Sequence, residues 1–232
     1  MMEHGESHGY LAREQFRSRR EKAAIEHALN KRLTIDISRQ AKIPVVYIAN
    51  DAKCCYDRIP LMVAYLTMRH MGIPKAAAKS SIDTLVNMPR SVKTVFGESI
   101  ETYSTNPLCD EFLHSIGQGN GYGPIIWAGI SSPLLKILRQ RGHGVNITSP
   151  ITKEELEMAG YSFMDDTDQI ELNRDESNWG AVLANAQASL ELWECLLRTI
   201  GGAIEPSKTF WVKVLYEWKN GYAKLNKANQ SD

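Results

Sequence analysis

The sequence predicts an α+β domain in which helices pack on one face of an antiparallel sheet. Three observations carry that prediction. A continuous β-branched run, IPVVYIA, suits a strand buried on both faces. A second apolar stretch, YSFM, is followed by Asp165-Asp166 and then by TDQIEL, which reads as two strands joined at an acidic turn. Between and around them lie segments with helical spacing, so strands and helices are mixed without the strict alternation of a parallel α/β fold.

From Glu21 to Arg39 apolar residues recur every fourth position, at Ile25, Leu29, Leu33 and Ile37, with Ala24 and Ala28 beside them. That spacing predicts an amphipathic helix with a basic outer face. Residues 61–72 and 75–86 read as two helices divided by Gly72-Ile73-Pro74, and residues 91–104 as two short strands around Gly97-Glu98. The glycine cluster GQGNGYGP at 117–124 ends in a proline suited to a helix's first turn, and IIWAGISSPLLKILRQ continues as that helix. Residues 146–157 are polar and loop-like. A long helix is expected over Asn178–Ile200, closed by Gly201-Gly202. TFWVKVLYEW is expected as a strand, and the final KLNKANQSD as a frayed tail.

The chain has 232 residues, 43% apolar and 23% charged, with a formal net charge of zero. Such values exclude collagen-like and largely disordered chains, and neutrality counts against a protein that simply coats nucleic acid. The longest apolar run falls far short of the ~20 residues that span a bilayer, and the polar start MMEHGESHGYLAREQ lacks a secretory leader. Cys54, Cys55, Cys109 and Cys195 form no CxxC pair and read as thiols of a reducing, intracellular compartment, cytoplasmic or nuclear. Charge is uneven. Residues 13–22 hold five Lys/Arg against two Glu, whereas residues 151–200 hold eleven Asp/Glu against three Lys/Arg. One end could attract phosphates and the other cations.

Two acidic sites stand at the ends of apolar strands: Asp51 after VVYIAN, and Asp165-Asp166 after YSFM. Carboxylates there are poorly hydrated and costly to keep charged without a cation. Taken singly each is an ordinary turn residue. Together they predict a divalent-metal site, for which Mg²⁺ is suited because it binds through a few carboxylates plus substrate phosphates.

Four segments occur in a fixed order: NDAKCCYDRI (50–59), IGQGNGYGP (116–124), FMDDTDQ (163–169) and GGAIEPSKTFW (201–211). Together they resemble the palm motifs of reverse transcriptases, especially those of retroelements without long terminal repeats. EQFRSRREKAAIEHALNKRL (14–33) is similar to the fingers segment that precedes the first motif. The resemblance implies a polymerase palm with partial helical fingers and no thumb. Residues 1–42 would be the partial fingers, 43–59 the palm with its first catalytic motif, 60–114 a fingers–palm connection, 115–222 the rest of the palm, and 223–232 a disordered tail.

It further implies an RNA-directed DNA polymerase, adding dNTPs to a DNA primer 3′-OH on an RNA template. Asp51, Asp165 and Asp166 would hold two Mg²⁺ ions, with Mn²⁺ a substitute, and Ala52 would offer a backbone carbonyl. Tyr56 matches the aromatic gate beneath the incoming sugar. Gln118 and Gly119 match the pair that supports nucleotide and template base, and Lys208 matches the lysine that protonates the leaving pyrophosphate. Arg17, Arg19 and Arg20 would contact template or primer. The fingers glycines of the family are replaced near Arg17 and Glu21. With no thumb, grip on the duplex would have to come from another chain. The alternative is a catalytically inactive nucleic-acid-binding or interaction remnant of such a polymerase.

Overall fold

In a computed structural model of the chain, which describes residues 1–20, 22–102, 115–117, 120–149, 151–172 and 179–225, the IPVVYIA run becomes strand β1 (Val45–Asp51) at the heart of the sheet. Its first four residues are buried on both faces, which is why the run is apolar without alternation.

Short helix α1 (Met2–Ser7) and the predicted basic helix, α2 (Ala24–Ala41), precede β1. A 3-10 turn (Cys55–Arg58) leads to α3 (Leu61–His70) and α4 (Lys75–Asn87), as the Gly-Ile-Pro punctuation predicts. A small hairpin, β2 (Lys93–Thr94) and β3 (Gly97–Glu98), comes next, with Gly97-Glu98 inside a strand and not at the turn. Helix α5 (Gly123–Gln140) opens with Pro124 in its first turn. Then come β4 (Val145–Thr148), β5 (Glu155–Met158), β6 (Gly160–Phe163), β7 (Asp166–Leu172) and α6 (Trp179–Thr199). After a 3-10 turn (Pro206–Lys208) the last strands are β8 (Phe210–Val214), β9 (Tyr216–Lys219) and β10 (Tyr222–Leu225).

The main sheet has the order β6-β7-β1-β8, with every pairing antiparallel. Its two faces differ. Val46 and Ile48 meet Val182 and Ala186 of α6 on one face. Beyond α6 the largest core joins α3 and α5, around Trp127, Leu135, Trp193 and Leu197. Gly129 lets α3 and α5 approach closely, because a Cβ there would lie 2.6 Å from Thr67 Cγ2. Val45, Tyr47 and Ile170 form the other face, partly covered by Ile35 of α2. The α+β, antiparallel class is therefore as predicted, with α2 lying on the face opposite α6.

Four local expectations are corrected. The apolar stripe of α2 does not face the sheet: Ile25 is 75% exposed and Ile37 45% exposed, while Thr34 and Ser38 are buried. A buried Tyr161 supplies the reason, since its hydroxyl bonds Thr34 Oγ1 and donates to the Asn30 carbonyl, a polar anchorage. Residues 146–157 are not a loop, because they contain most of the β4–β5 hairpin, seated in the core through Val145 and Met158. TFWVKVLYEW is two strands broken at Leu215, and β9 pairs with β10 outside the main sheet. Ala223–Leu225, placed in the tail, belong to β10, while residues 226–232 lie outside the described residues.

The segment ahead of α2 is tied to the sheet's edge strand. Phe16 N–H donates to the Ser162 carbonyl, and Ser162 N–H donates to that of Glu14. Glu14 is fully buried, where its carboxylate accepts from Arg139 and from the Ala159 N–H. Among the described residues, no helix is long and apolar enough to cross a membrane.

Candidate active site

Antiparallel register assembles the site. Asp51 lies directly opposite Asp166, Ala49 opposite Asp168, and Tyr47 opposite Ile170. Because side chains alternate, these pairs share one face. On that face the sheet grades from apolar rows (Val214–Val45–Leu172 and Val212–Tyr47–Ile170) to an acidic end where Asp51, Asp166 and Asp168 gather. Asp165 joins them from the two-residue turn between β6 and β7. Met164 turns the chain there at a φ of 60°, a left-handed conformation that costs a non-glycine residue about 1 kcal/mol.

A cavity of about 500 Å³ opens over this end. Asp51, Asp165 and Asp166 line it with Lys208 and Phe210, and His27 and Lys31 of α2 close its far side. Burial raises the pKa of Asp166 above the ordinary carboxylate value, and the charges of Asp165, Asp51 and Asp168 add to the rise, with Lys208 opposing it. Lys208 Nζ donates to Asp51 Oδ2 at 2.6 Å, and that bond and charge raise the lysine's pKa. Lys31 makes an ion pair with Asp168. His27 is pushed down, first by burial and then by Lys31.

In donor chemistry the site fits Mg²⁺, because hard carboxylates cluster where mutual repulsion calls for a cation. As the side chains stand, no three metal-capable groups among the described residues are placed to hold one ion, and Lys208 is the cation that Asp51 meets. Lys208 is 68% exposed at its side chain and sits at the end of a 3-10 turn, so it is free to swing away.

The other predicted residues divide. Ala52 is buried, flanked by bonds from Glu205 N–H to the Asp51 carbonyl and from Lys53 N–H to the Ala203 carbonyl. Its own N–H and C=O therefore point away from Ile204. Tyr56 is buried in the main core, against Gly123, where a Cβ would lie 3.1 Å from the ring. It lies outside the lining of the aspartate cavity. Its hydroxyl is buried with no hydrogen-bond partner among the described residues, and burial, then Cys55 and Asp165, raise its pKa.

Arg17 places its guanidinium 5.6 Å from the Phe163 ring centroid, at the rim of the site. Arg19 is turned inward, donating to Glu6 and to the Ala12 and Gln15 carbonyls. Arg20 is exposed. Gln118 and Gly119 lie outside the described residues. Sequence reasoning missed Asp168, His27 and the inward role of Lys31. Asp168 could have been found from its spacing, two residues beyond Asp166 on a strand.

Sheet order and site can be set beside known proteins. No protein-family profile and no curated protein matches the chain. Solved structures do. The chain is similar to telomerase from Candida albicans in complex with a TWJ fragment of telomeric RNA, at a TM-score of 0.57 and 13% identity over 88% of this chain and 32% of that one. It is also similar to apo telomerase from Candida tropicalis truncated from its C-terminal domain, at a TM-score of 0.53 and 15% identity over 90% of this chain and 36% of that one. The chain thus shares its mixed helix and antiparallel-sheet fold with a part of these telomerase chains. This chain spans about a third of the length of those telomerase chains.

Proposed function

We propose that the chain is the palm and adjoining fingers segment of an RNA-directed DNA polymerase of the non-LTR retroelement kind. The observation that carries the reading is the Asp51–Asp166 register pair with Asp165 beside it in one cavity, on a fold shared with a part of the telomerase chains. Asp51, Asp165 and Asp166 would hold Mg²⁺, or Mn²⁺ in its place. When bound, two such ions supply Lewis-acid stabilisation of the attacking and leaving oxygens of phosphoryl transfer.

The reaction is attack of a DNA primer 3′-oxygen on the α-phosphate of a dNTP, paired to an RNA template, with release of pyrophosphate. Lys208 holds a proton at Nζ, with a pKa raised by its bond to Asp51. Once it lets go of Asp51 that rise is lost, but an ordinary lysine is still charged across the neutral range and would reach the leaving pyrophosphate with its proton. Ala52 offers its carbonyl on the side away from Ile204, and Arg17 sets a positive charge at the rim where phosphates would arrive. Tyr56, stiffly packed against Gly123, limits the space beneath a sugar.

The second reading, a catalytically inactive nucleic-acid-binding remnant, draws on one observation: Asp51 is already neutralised by Lys208. Primer extension on a poly-rA template with Mg²⁺ and dNTPs separates the two. Extension that stops with EDTA is the expected result. No extension with either Mg²⁺ or Mn²⁺ overturns the polymerase reading.

A further inference from the structure

Outside the aspartate site, a cavity of about 820 Å³ lies between the C-terminal half of α4 and the loop that leads into α5. Ser80 and Thr84 of α4 line it, with Arg90, Ser91, Asn120 and Tyr122. Both Nη atoms of Arg90 are buried, and neither has a hydrogen-bond partner among the described residues. None of the described residues lining the cavity is an acid. A guanidinium taken out of water with no anion beside it is among the most costly things a chain can bury. Its planar fork of donors matches a phosphate or carboxylate bidentately.

Two neighbours say which anion. Tyr122 presents a half-exposed ring to the same space, and the next residue, Gly123, packs on Tyr56. An aromatic platform beside a cationic pocket is how single-stranded nucleic acids are held, with a base on the ring and the backbone on the charge. The Ser80 hydroxyl and the amide N–H of Asn120 that is not donated to the Ile116 carbonyl add neutral donors suited to phosphate oxygens, whereas the Thr84 hydroxyl is spent on the Ser80 carbonyl. Gly117 turns the loop beside Arg90 at a φ of 83°, a conformation that favours glycine.

We infer that this cavity binds a backbone phosphate of single-stranded nucleic acid, with Arg90 as its charged ligand and Tyr122 as the stacking platform for a neighbouring base. The chain has no net charge, so a strand must be gripped by local groups of this kind and not by a general basic field. The site needs no catalysis to exist.

The test is a fluorescence-anisotropy titration of the full chain with a fluorescein-labelled single-stranded RNA, in EDTA, over a salt series. R90Q is expected to bind about tenfold more weakly, with a log–log salt slope shallower by about 0.7. Y122A is expected to bind about tenfold more weakly with an unchanged slope. R90Q should melt at or above the temperature of the unmodified chain, since it removes a buried unpaired charge. Inorganic phosphate should raise the melting temperature of the unmodified chain and not that of R90Q.

Unchanged affinity and slope in R90Q overturn the inference. So does a lower melting temperature with unchanged binding, which would make Arg90 structural. Phosphate stabilisation through Arg90 without an effect on RNA affinity would make this a small-anion pocket and overturn the strand assignment. A chain that extends no primer but keeps Arg90-dependent binding refutes the proposed polymerase chemistry and leaves this site standing.

Discussion

Lys208 Nζ lies 2.6 Å from Asp51 Oδ2, joining residues 157 positions apart at the mouth of the acidic cavity. The pair is exposed on the lysine side, so its worth is chemical more than structural. It holds a counter-charge where a metal ion is proposed to bind. Lys208→Met is therefore expected to strengthen Mg²⁺ binding while slowing primer extension by about 10²-fold, with the gap narrowing at high pH as the unmodified chain's lysine loses its proton. Isothermal titration with Mg²⁺ and a pH–rate profile check both halves. Unaltered extension would remove the lysine from the chemistry.

Asp165→Asn is expected to abolish extension and to leave the fold intact. Asp166 has a raised pKa, first from burial and then because Asp165 repels its charge, so the folded state loses stability as pH rises and Asp166 ionises. Removing one charge relieves that loss. A melting temperature about 2 °C higher at pH 7, with no gain at acidic pH where Asp166 is protonated, is the expected result of thermal melts.

Tyr56 separates ring from hydroxyl. Its oxygen is buried with no partner among the described residues, so Tyr56→Phe is expected to be neutral or stabilising by about 1 kcal/mol and to keep its preference for dNTPs. Tyr56→Ala opens a core cavity at a cost of about 3–5 kcal/mol and is expected to admit ribonucleotides. Denaturant melts and the ratio of rNTP to dNTP incorporation measure the two effects. Equal discrimination in all three proteins would make the ring core packing alone.

Glu171 gives a pH signature unconnected with catalysis. It is buried on β7, where its carboxylate accepts from Gly144 N–H and lies 3.3 Å from His143 Nδ1. Burial raises its pKa from 4.5 to about 7, and burial also lowers that of His143. The folded state thus holds this proton more tightly than the unfolded chain. The associated stability is full below pH 4.5 and is lost as pH rises to about 7, amounting to about 3 kcal/mol. Glu171→Gln should match the unmodified chain at pH 4 and exceed it at pH 8 by about 1–3 kcal/mol in urea melts. Lower stability at pH 8 would mean an ionised pair with His143.

Helix α2 offers a test of orientation. Ile25→Glu and Leu29→Glu fall on its exposed stripe and are expected to change stability by no more than about 0.5 kcal/mol. Thr34→Val, on the buried side, removes a partner of the Tyr161 hydroxyl and is expected to cost about 1 kcal/mol. The reverse order in thermal melts would place the helix the other way round.

That helix also shows where sequence reading stops. Its four-residue spacing is real, but periodicity says only that a stripe exists and not what lies across from it. Tyr161, well over a hundred residues away, decides the matter with a hydroxyl. The β4–β5 hairpin was hidden because Val145 and Met158, its buried anchors, bracket a polar tip. By contrast β1, the β6–β7 hairpin and the helices α3 to α6 were legible, because each carries its own pattern of burial. In the site, Asp51, Asp165, Asp166 and Lys208 were legible and do meet in one cavity. Lys31 and Asp168 were not read together, since nothing local links a helix face to a distant strand.

The antiparallel pairing of β1 with β7 has a kinetic consequence. Asn50, the residue before Asp51, donates to Gln169 across 119 residues on the same pair of strands. Closing so long a loop is slow compared with forming the helices on either side. The acidic pocket therefore comes into being only when the slowest contacts form. A folding intermediate with its helices in place would have no site at all, and the appearance of Mg²⁺ affinity during refolding would time the final step.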